Sequence, residues 1–145
     1  RGLAGYRVIQ PQYHLLHRNE VEGELSDYCL EHGLGIVPYY GLARGYLTGK
    51  YRVGGPRVQS VRAEGAAQYV DDRGERVLDA LATIAARRRV APAAVALAWL
   101  AQQPGVVAPI ASARTVGQLM ELLPMASLDL DDAELAALDT ASLAG

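Results

Sequence analysis

Val106-Val107-Ala108-Pro109-Ile110-Ala111-Ser112-Ala113-Arg114-Thr115-Val116-Gly117-Gln118 carries the clearest sign of how this chain folds. An apolar run of strand length, Val106 to Ile110, exits through a short polar segment to Thr115 and Gln118. Their spacing is that of a capping box, so a helix starts there. A short, nearly continuous apolar strand suits a parallel sheet covered on both faces.

The same pattern recurs on either side. Tyr6 to Gln10 reads as a short strand ending at Pro11. Val21 to His32 carries apolar residues at helical spacing, with Val21, Leu25, Tyr28 and Cys29 on one face. Gly33 follows as the left-handed cap, a conformation glycine adopts without steric penalty, and Leu34 to Pro38 is the next buried strand. Gly41 to Asp72 is irregular, and a loop of roughly thirty residues in a compact domain is usually functional or disordered. Helical periodicity resumes at Arg73 with Val77, Leu78, Leu81, Ile84 and Ala85 on one stripe. Pro92 suits the first turn of a second helix through Val95, Leu97, Ala98, Trp99 and Leu100. Pro104-Gly105 then turns the chain into Val106. Asp131 with Glu134 opens a last helix that runs to about Ser142. Alternation of this kind predicts an α/β fold with parallel strands, right-handed crossovers and helices outside. Three such strands make either a small open sheet or part of a (β/α)8 barrel. A full barrel needs about 250 residues, so residues 1–145 supply little more than half of one.

Composition narrows the function. Half of the 145 residues are apolar and 21% are charged, with a net charge of -2, which excludes a strongly basic nucleic-acid binder. Cys29, the single cysteine, excludes an internal disulfide and fits a reducing, cytoplasmic setting. Lys50 is the sole lysine among many arginines and alanines, which reads as the coding bias of a high-GC bacterium. No leader peptide is visible. Val90 to Ala113 is uncharged and long enough for a membrane check. Pro92, Pro104, Pro109 and Gln102-Gln103 interrupt it, so no membrane partner is expected.

Several motif resemblances fail on context. Gly33-Leu34-Gly35 precedes a strand where a dinucleotide fingerprint follows one, and the third glycine is missing. Gly45 to Lys50 has one residue too few for a phosphate loop of the Walker kind, and Tyr51 stands where Ser or Thr must bind magnesium. Glycines beside a lone lysine after a strand still suit an anion cradle. His14 and His17 lack companions at metal-ligand spacing, so packing or surface roles are expected. No serine sits in a nucleophile elbow. Asp71-Asp72 and Asp131-Asp132 read as helix starts. At the last strand, Arg114 and the helix start offer donors for a phosphate, at a position where barrels commonly hold one.

Four segments together resemble the aldo/keto reductase family: Val8 to Leu16, Pro38 to Tyr51, Val95 to Leu100, and Pro109 to Arg114 with Gln118-Leu119 behind it. The resemblance covers nearly the whole chain in the correct order and corresponds to the last three strands of the family's (β/α)8 TIM barrel. It implies hydride exchange between NADP(H) and a small carbonyl compound or alcohol. On the residues matched, it implies that Gln10 bonds the nicotinamide carboxamide and that Tyr39 stacks on the ring. Tyr40, Gly41, Leu42, Ala43 and Arg44 would wrap the pyrophosphate, with Lys50 and Arg62 as basic residues of the same loop. Ser112, Arg114, Gln118 and Glu121 would hold the adenosine and its 2′-phosphate.

The chain departs from the family pattern where Tyr40-Gly41 replaces Ser-Pro, Ser112-Ala113-Arg114 replaces Gly-Ala-Arg, and Leu122 replaces an asparagine. The family's catalytic aspartate, tyrosine, lysine and histidine lie on the first four strands, which no segment here matches. Tyr39, Lys50 and His14 match other positions, so no catalytic residue is assigned. Two other readings are a non-catalytic NADP-binding or regulatory module and a small open-sheet α/β domain without cofactor. Substrate identity and oligomeric state are not specified by these residues.

Overall fold

A computed structural model describes residues 4–52, 54 and 63–143. Its sheet is small. β1 (Val8–Ile9) pairs in parallel with β2 (Gly35–Ile36), Val8 opposite Gly35 and Ile9 opposite Ile36. The register continues past the strand ends, because Val37 and Tyr39 donate to Ile9 O (2.9 Å) and Pro11 O (3.0 Å) and Gln12 lies opposite Tyr39. On the far side of β2, Ile36 N–H donates to Gly105 O (2.8 Å) and Ile36 O accepts from Val107 N–H (2.9 Å). Ile36 thus uses both its backbone groups on this third segment, while its neighbours Gly35 and Val37 donate to Arg7 O and Ile9 O on the β1 side.

The strand expected over Val106 to Ile110 is reduced to one bridge, Ile36 to Val106. Pro109 is the reason, since it has no N–H for the ladder. The next bond comes from Ile110 N–H to Pro38 O (2.9 Å), one residue out of register with the Val107 bond. The local geometry is that of a bulge. The expected strands at Tyr6 to Gln10 and Leu34 to Pro38 also shrink, to two residues each.

α1 (Glu24–Glu31) ends as the glycine requires. Gly33 has φ +63°, Leu34 N–H bonds Cys29 O (2.8 Å), and Gly33 N–H bonds Leu30 O (3.4 Å). This is the Schellman arrangement. Val21 and Cys29 are buried as expected, whereas Tyr28 is exposed and stacks on His32, with ring centroids 4.0 Å apart. The irregular region contains a 3₁₀ helix, Ala43–Thr48, and a short helix α2, Ala63–Ala67.

The helical layer carries most of the core. In α3 (Asp72–Arg88) the stripe of Val77, Leu78, Leu81, Ile84 and Ala85 is buried. Its N-cap is Asp71, whose carboxylate accepts from Gly74 N–H at 2.7 Å. Every residue of α4 (Pro92–Ala101) from Ala93 to Leu100 is buried, which explains an uncharged stretch of this length without a bilayer. Among the described residues no helix is long and apolar enough to cross a membrane. α5 (Val116–Leu122) is short and lies on the surface, and α6 (Asp132–Ser142) packs against α3.

Arginine hydrogen bonds tie the antiparallel pair α3 and α6 at both ends, one end also ionic. Arg87 and Arg88 donate to the buried Glu134 at 2.6 to 2.9 Å, and Arg73 Nε donates to Ser142 O at 2.8 Å. Glu134 also closes the capping box with Asp131. The Arg88 guanidinium is the main cause that holds the Glu134 carboxyl down at about 2, against burial acting the other way. Arg18 ties the segment after β1 to this layer, bonding Glu22, Asp139 and Ser142 while lying over Trp99 at 5.1 Å.

Two outcomes are expected. A Cβ at Gly74 would overlap the Tyr69 carbonyl oxygen, a backbone atom with no room to move, and would meet Tyr46 Oη at 2.5 Å. Gly74→Ala should therefore lower the unfolding free energy by about 3 kcal/mol in a denaturant titration, despite the better helix propensity of alanine. The second concerns acid. A depressed folded pKa at Glu134 means stability that is fully present above the ordinary carboxylate value of 4.5 and is lost as pH falls towards 2. Glu134→Gln should be less stable than wild type near pH 7, and the gap should close through that window when denaturant midpoints are followed against pH.

Candidate functional site

The parallel register sets which side chains share a face. Ile9 and Ile36 turn towards the helical layer, and Ile36 is fully buried. The other face carries Val8 and Val107, whose methyl carbons lie 3.4 and 3.0 Å from where a Cβ of Gly35 would sit. Strand side chains alternate, so Gln10 falls on the Val8 face and Tyr39 on the Gly35 face, which is the same one. Both are exposed there.

Beyond Tyr39 the backbone enters an unusual conformation. Tyr40 (φ 55°), Ala43 (φ 48°) and Arg44 (φ 57°) occupy the left-handed region that non-glycine residues seldom adopt, with Gly45 following at φ 97°. Ala43 N–H bonds Tyr40 O at 2.7 Å and Gly45 N–H bonds Leu42 O at 2.8 Å, closing two tight turns in succession. The fold holds these turns from beneath, since Ala43, Tyr46 and Leu47 are fully buried. Gly41 lies close over the core, where a Cβ would sit 3.0 Å from Leu100 and 3.1 Å from Leu97.

These turns and the end of the third sheet segment enclose a cavity of about 290 Å³ lined by Tyr39, Tyr40, Gly41, Leu42, Arg44, Gly45, Ile110, Ala111 and Ser112. The Arg44 guanidinium lies over the Tyr40 ring at 4.4 Å, a cation–π contact, and its buried Nε has no hydrogen-bond partner among the described residues. The Tyr39 and Tyr40 rings are tilted against each other with centroids 4.9 Å apart.

Of the residues singled out by sequence, Tyr39, Tyr40, Gly41, Leu42, Arg44 and Ser112 line this one cavity. Ala43 is buried behind it. Gln10 shares the sheet face without lining the cavity, and Lys50 is exposed beyond the 3₁₀ helix. Arg62 lies outside the described residues. Arg114 and Glu121 are exposed at the start and towards the end of α5. Thr115 caps α5, accepting from Gln118 N–H at 3.2 Å, but the Gln118 side chain accepts from Arg114 N–H at 2.9 Å and not from the cap residue. The expected reciprocal box is therefore displaced by one residue, and two of the amides expected to face an anion are bonded within the segment.

From the sequence Gly45 reads only as part of an anion cradle with Lys50, and Ile110 and Ala111 are not assigned to the site. The signal for the latter two was present: parallel neighbours end at the same edge, so residues following one strand face those following the next. Gly45 sits beside residues whose positive φ has no local sequence signature.

Next to the cavity lies a buried polar cluster. His14 is fully buried, with its Nδ1 accepting from Leu16 N–H at 3.2 Å. Burial, followed by His17, Arg73 and Arg44, lowers its pKa to about 3, so the ring is neutral near pH 7. Burial also raises the Tyr46 hydroxyl to about 12.

Comparison with known proteins agrees with this architecture. The model of the aldo/keto reductase family matches residues 3–142. A rice protein named "Probable voltage-gated potassium channel subunit beta" is 34% identical over 125 residues, covering 82% of this chain and 38% of that protein. A soybean protein, "Probable aldo-keto reductase 1", is 30% identical over 130 residues, covering 88% and 37%. The L-glyceraldehyde 3-phosphate reductase of Escherichia coli K12 is 30% identical over 139 residues, covering 91% and 40%. The chain thus spans about two fifths of the length of these relatives. A solved structure of the thermostable aldo-keto reductase Tm1743 with epalrestat superposes on 92% of this chain and 39% of its own, with a TM-score of 0.65 and 24% identity. This chain belongs to the aldo/keto reductase family.

Proposed function

We propose that this chain is the cofactor-binding part of an NADP(H)-dependent aldo/keto reductase barrel, corresponding to its last three strands, that works on a small aldehyde, ketone or alcohol. The observation that carries this reading is the convergence of an exposed tyrosine face, a left-handed loop and a partly buried arginine on one cavity. A nicotinamide dinucleotide combines flat rings with phosphates, and the residues present fit both. Tyr39 offers a ring at the strand end, fixed by bonds through its own N–H and carbonyl. Arg44 brings a cation whose buried Nε lacks an acceptor among the described residues, which a phosphate oxygen would supply. Arg114, exposed at the start of α5, suits the 2′-phosphate. When bound, the cofactor supplies the hydride. The chain's own residues bind and orient it: Gln10 on the sheet face, Tyr39 to Arg44 along the loop, and Ser112 across the cavity. Lys50, Arg62, Gln118 and Glu121 belong to the proposed site by family match.

The acid that protonates a carbonyl has no matching position in this chain. We place it, with the family's aspartate, lysine and histidine, in sequence outside these residues. The identity to a protein named as a channel beta subunit supports a second reading, a cofactor-sensing module without turnover.

Two measurements test the proposal. Calorimetric titration should show NADPH binding more tightly than NADH, with Arg114→Ala losing roughly tenfold in NADPH affinity and little in NADH affinity. Equal affinities in the unaltered chain would remove the 2′-phosphate assignment. The purified chain should not oxidise NADPH with a simple aldehyde, and turnover would show that the acid lies within it.

A further inference from the structure

Gln12, His14 and Tyr69 form a closed triangle of polar contacts. Gln12 Nε2 lies 3.2 Å from Tyr69 Oη and 3.2 Å from His14 Nε2, and Tyr69 Oη lies 3.2 Å from His14 Nε2. Proton accounting orients it. His14 Nδ1 already accepts from Leu16 N–H, so the neutral ring carries its proton on Nε2. An amide N–H at the Gln12 corner would then face another donor. Turning the Gln12 amide puts its oxygen there, where it accepts from both His14 Nε2–H and Tyr69 Oη–H.

The triangle joins two parts of the cavity wall. Gln12 is the ladder partner of Tyr39, and Tyr13 N–H bonds Tyr39 O at 3.4 Å. Tyr69 follows α2, which packs against the 3₁₀ helix so closely that a Cβ at Gly65 would lie 2.8 Å from Arg44 Cδ. The Tyr69 ring also stands edge-on to His14 at 5.3 Å and 6.0 Å from the Tyr46 ring. We propose that Tyr69 is a positioning residue for the cavity, its hydroxyl locking α2 and the Arg44 turn to the strand end that carries Tyr39. Tyr69 itself does not line the cavity. Its use in cofactor binding rests on the function proposed above, while its effect on the wall does not.

Tyr69→Phe tests this, because it keeps the ring contacts and removes only the hydroxyl. Amide hydrogen exchange of the ligand-free chain reads the wall at Ala43 and Gly45, whose N–H groups close the two turns, and at Tyr39 in the ladder. We expect these amides to exchange about tenfold faster in the variant, with α3 interior amides unchanged. Gln12→Leu should give the same acceleration, and the double variant should add nothing further. Exchange within about threefold of wild type at these amides would overturn the proposal. So would equal acceleration in α3, which would make Tyr69 a global stabiliser only. A parallel NADPH titration should show several-fold weaker binding in Tyr69→Phe. A wild-type chain that ignores NADPH would remove the proposed function and leave the exchange result to decide the role of Tyr69.

Discussion

Ile36 is the residue through which the sheet is organised. It is hydrogen-bonded to the third sheet segment through both its N–H and its carbonyl, and it lies opposite Ile9 on the other side. Its side chain is fully buried against the helical layer. With Ile36 fixed, parity fixes the rest: residues an odd number of positions away turn to the other face. That is how Gln10 and Tyr39 come to share a surface, and how the chain leaving β2 and the chain leaving Val107 come to end at one edge. A parallel arrangement is needed for this, because antiparallel neighbours would send these exits to opposite ends.

So short a sheet draws its rigidity from the helices. α4 is buried along nearly its whole length, and its Leu97 and Leu100 reach the Cα of Gly41. A side chain at 41 would press on these two leucines, which would have to shift by a few tenths of an ångström to admit it. α3 reaches the site from the other side. Gly74 accepts the close approach of the Tyr69 carbonyl and the Tyr46 hydroxyl, both of which belong to the elements around the cavity.

Helices were legible in the sequence because their signals are local. The stripe from Val77 to Ala85, the proline at the start of α4, the glycine after α1 and the box at Asp131 and Glu134 each state their own boundary. Tyr28 misled because helical spacing gives a face but not its angular limit, and its ring found His32 on the surface. Strand lengths were read too generously because apolar runs report burial, whereas ladder bonds depend on donors, and Pro109 has none. Tyr39, Tyr40 and Ser112, singled out from order and family match, do line the cavity. The turns between Tyr40 and Gly45 were not legible, because left-handed backbone at Tyr40, Ala43 and Arg44 comes from tertiary contacts and leaves no composition cue.

That left-handed run has a physical consequence of its own. Residues held in sparsely populated backbone regions cost on the order of 1 kcal/mol or more each, and they persist only where the surroundings over-determine them. Here the surroundings are specific: Ala43, Tyr46 and Leu47 are buried, both turns close through short backbone bonds, and Arg44 rests on Tyr40 above while α2 presses on it from beside. A wall set this firmly before any ligand arrives has little conformational freedom left to lose on binding. The energy of folding maintains it, and the same core that buries Trp99 and Leu100 therefore also sets the shape of the cavity.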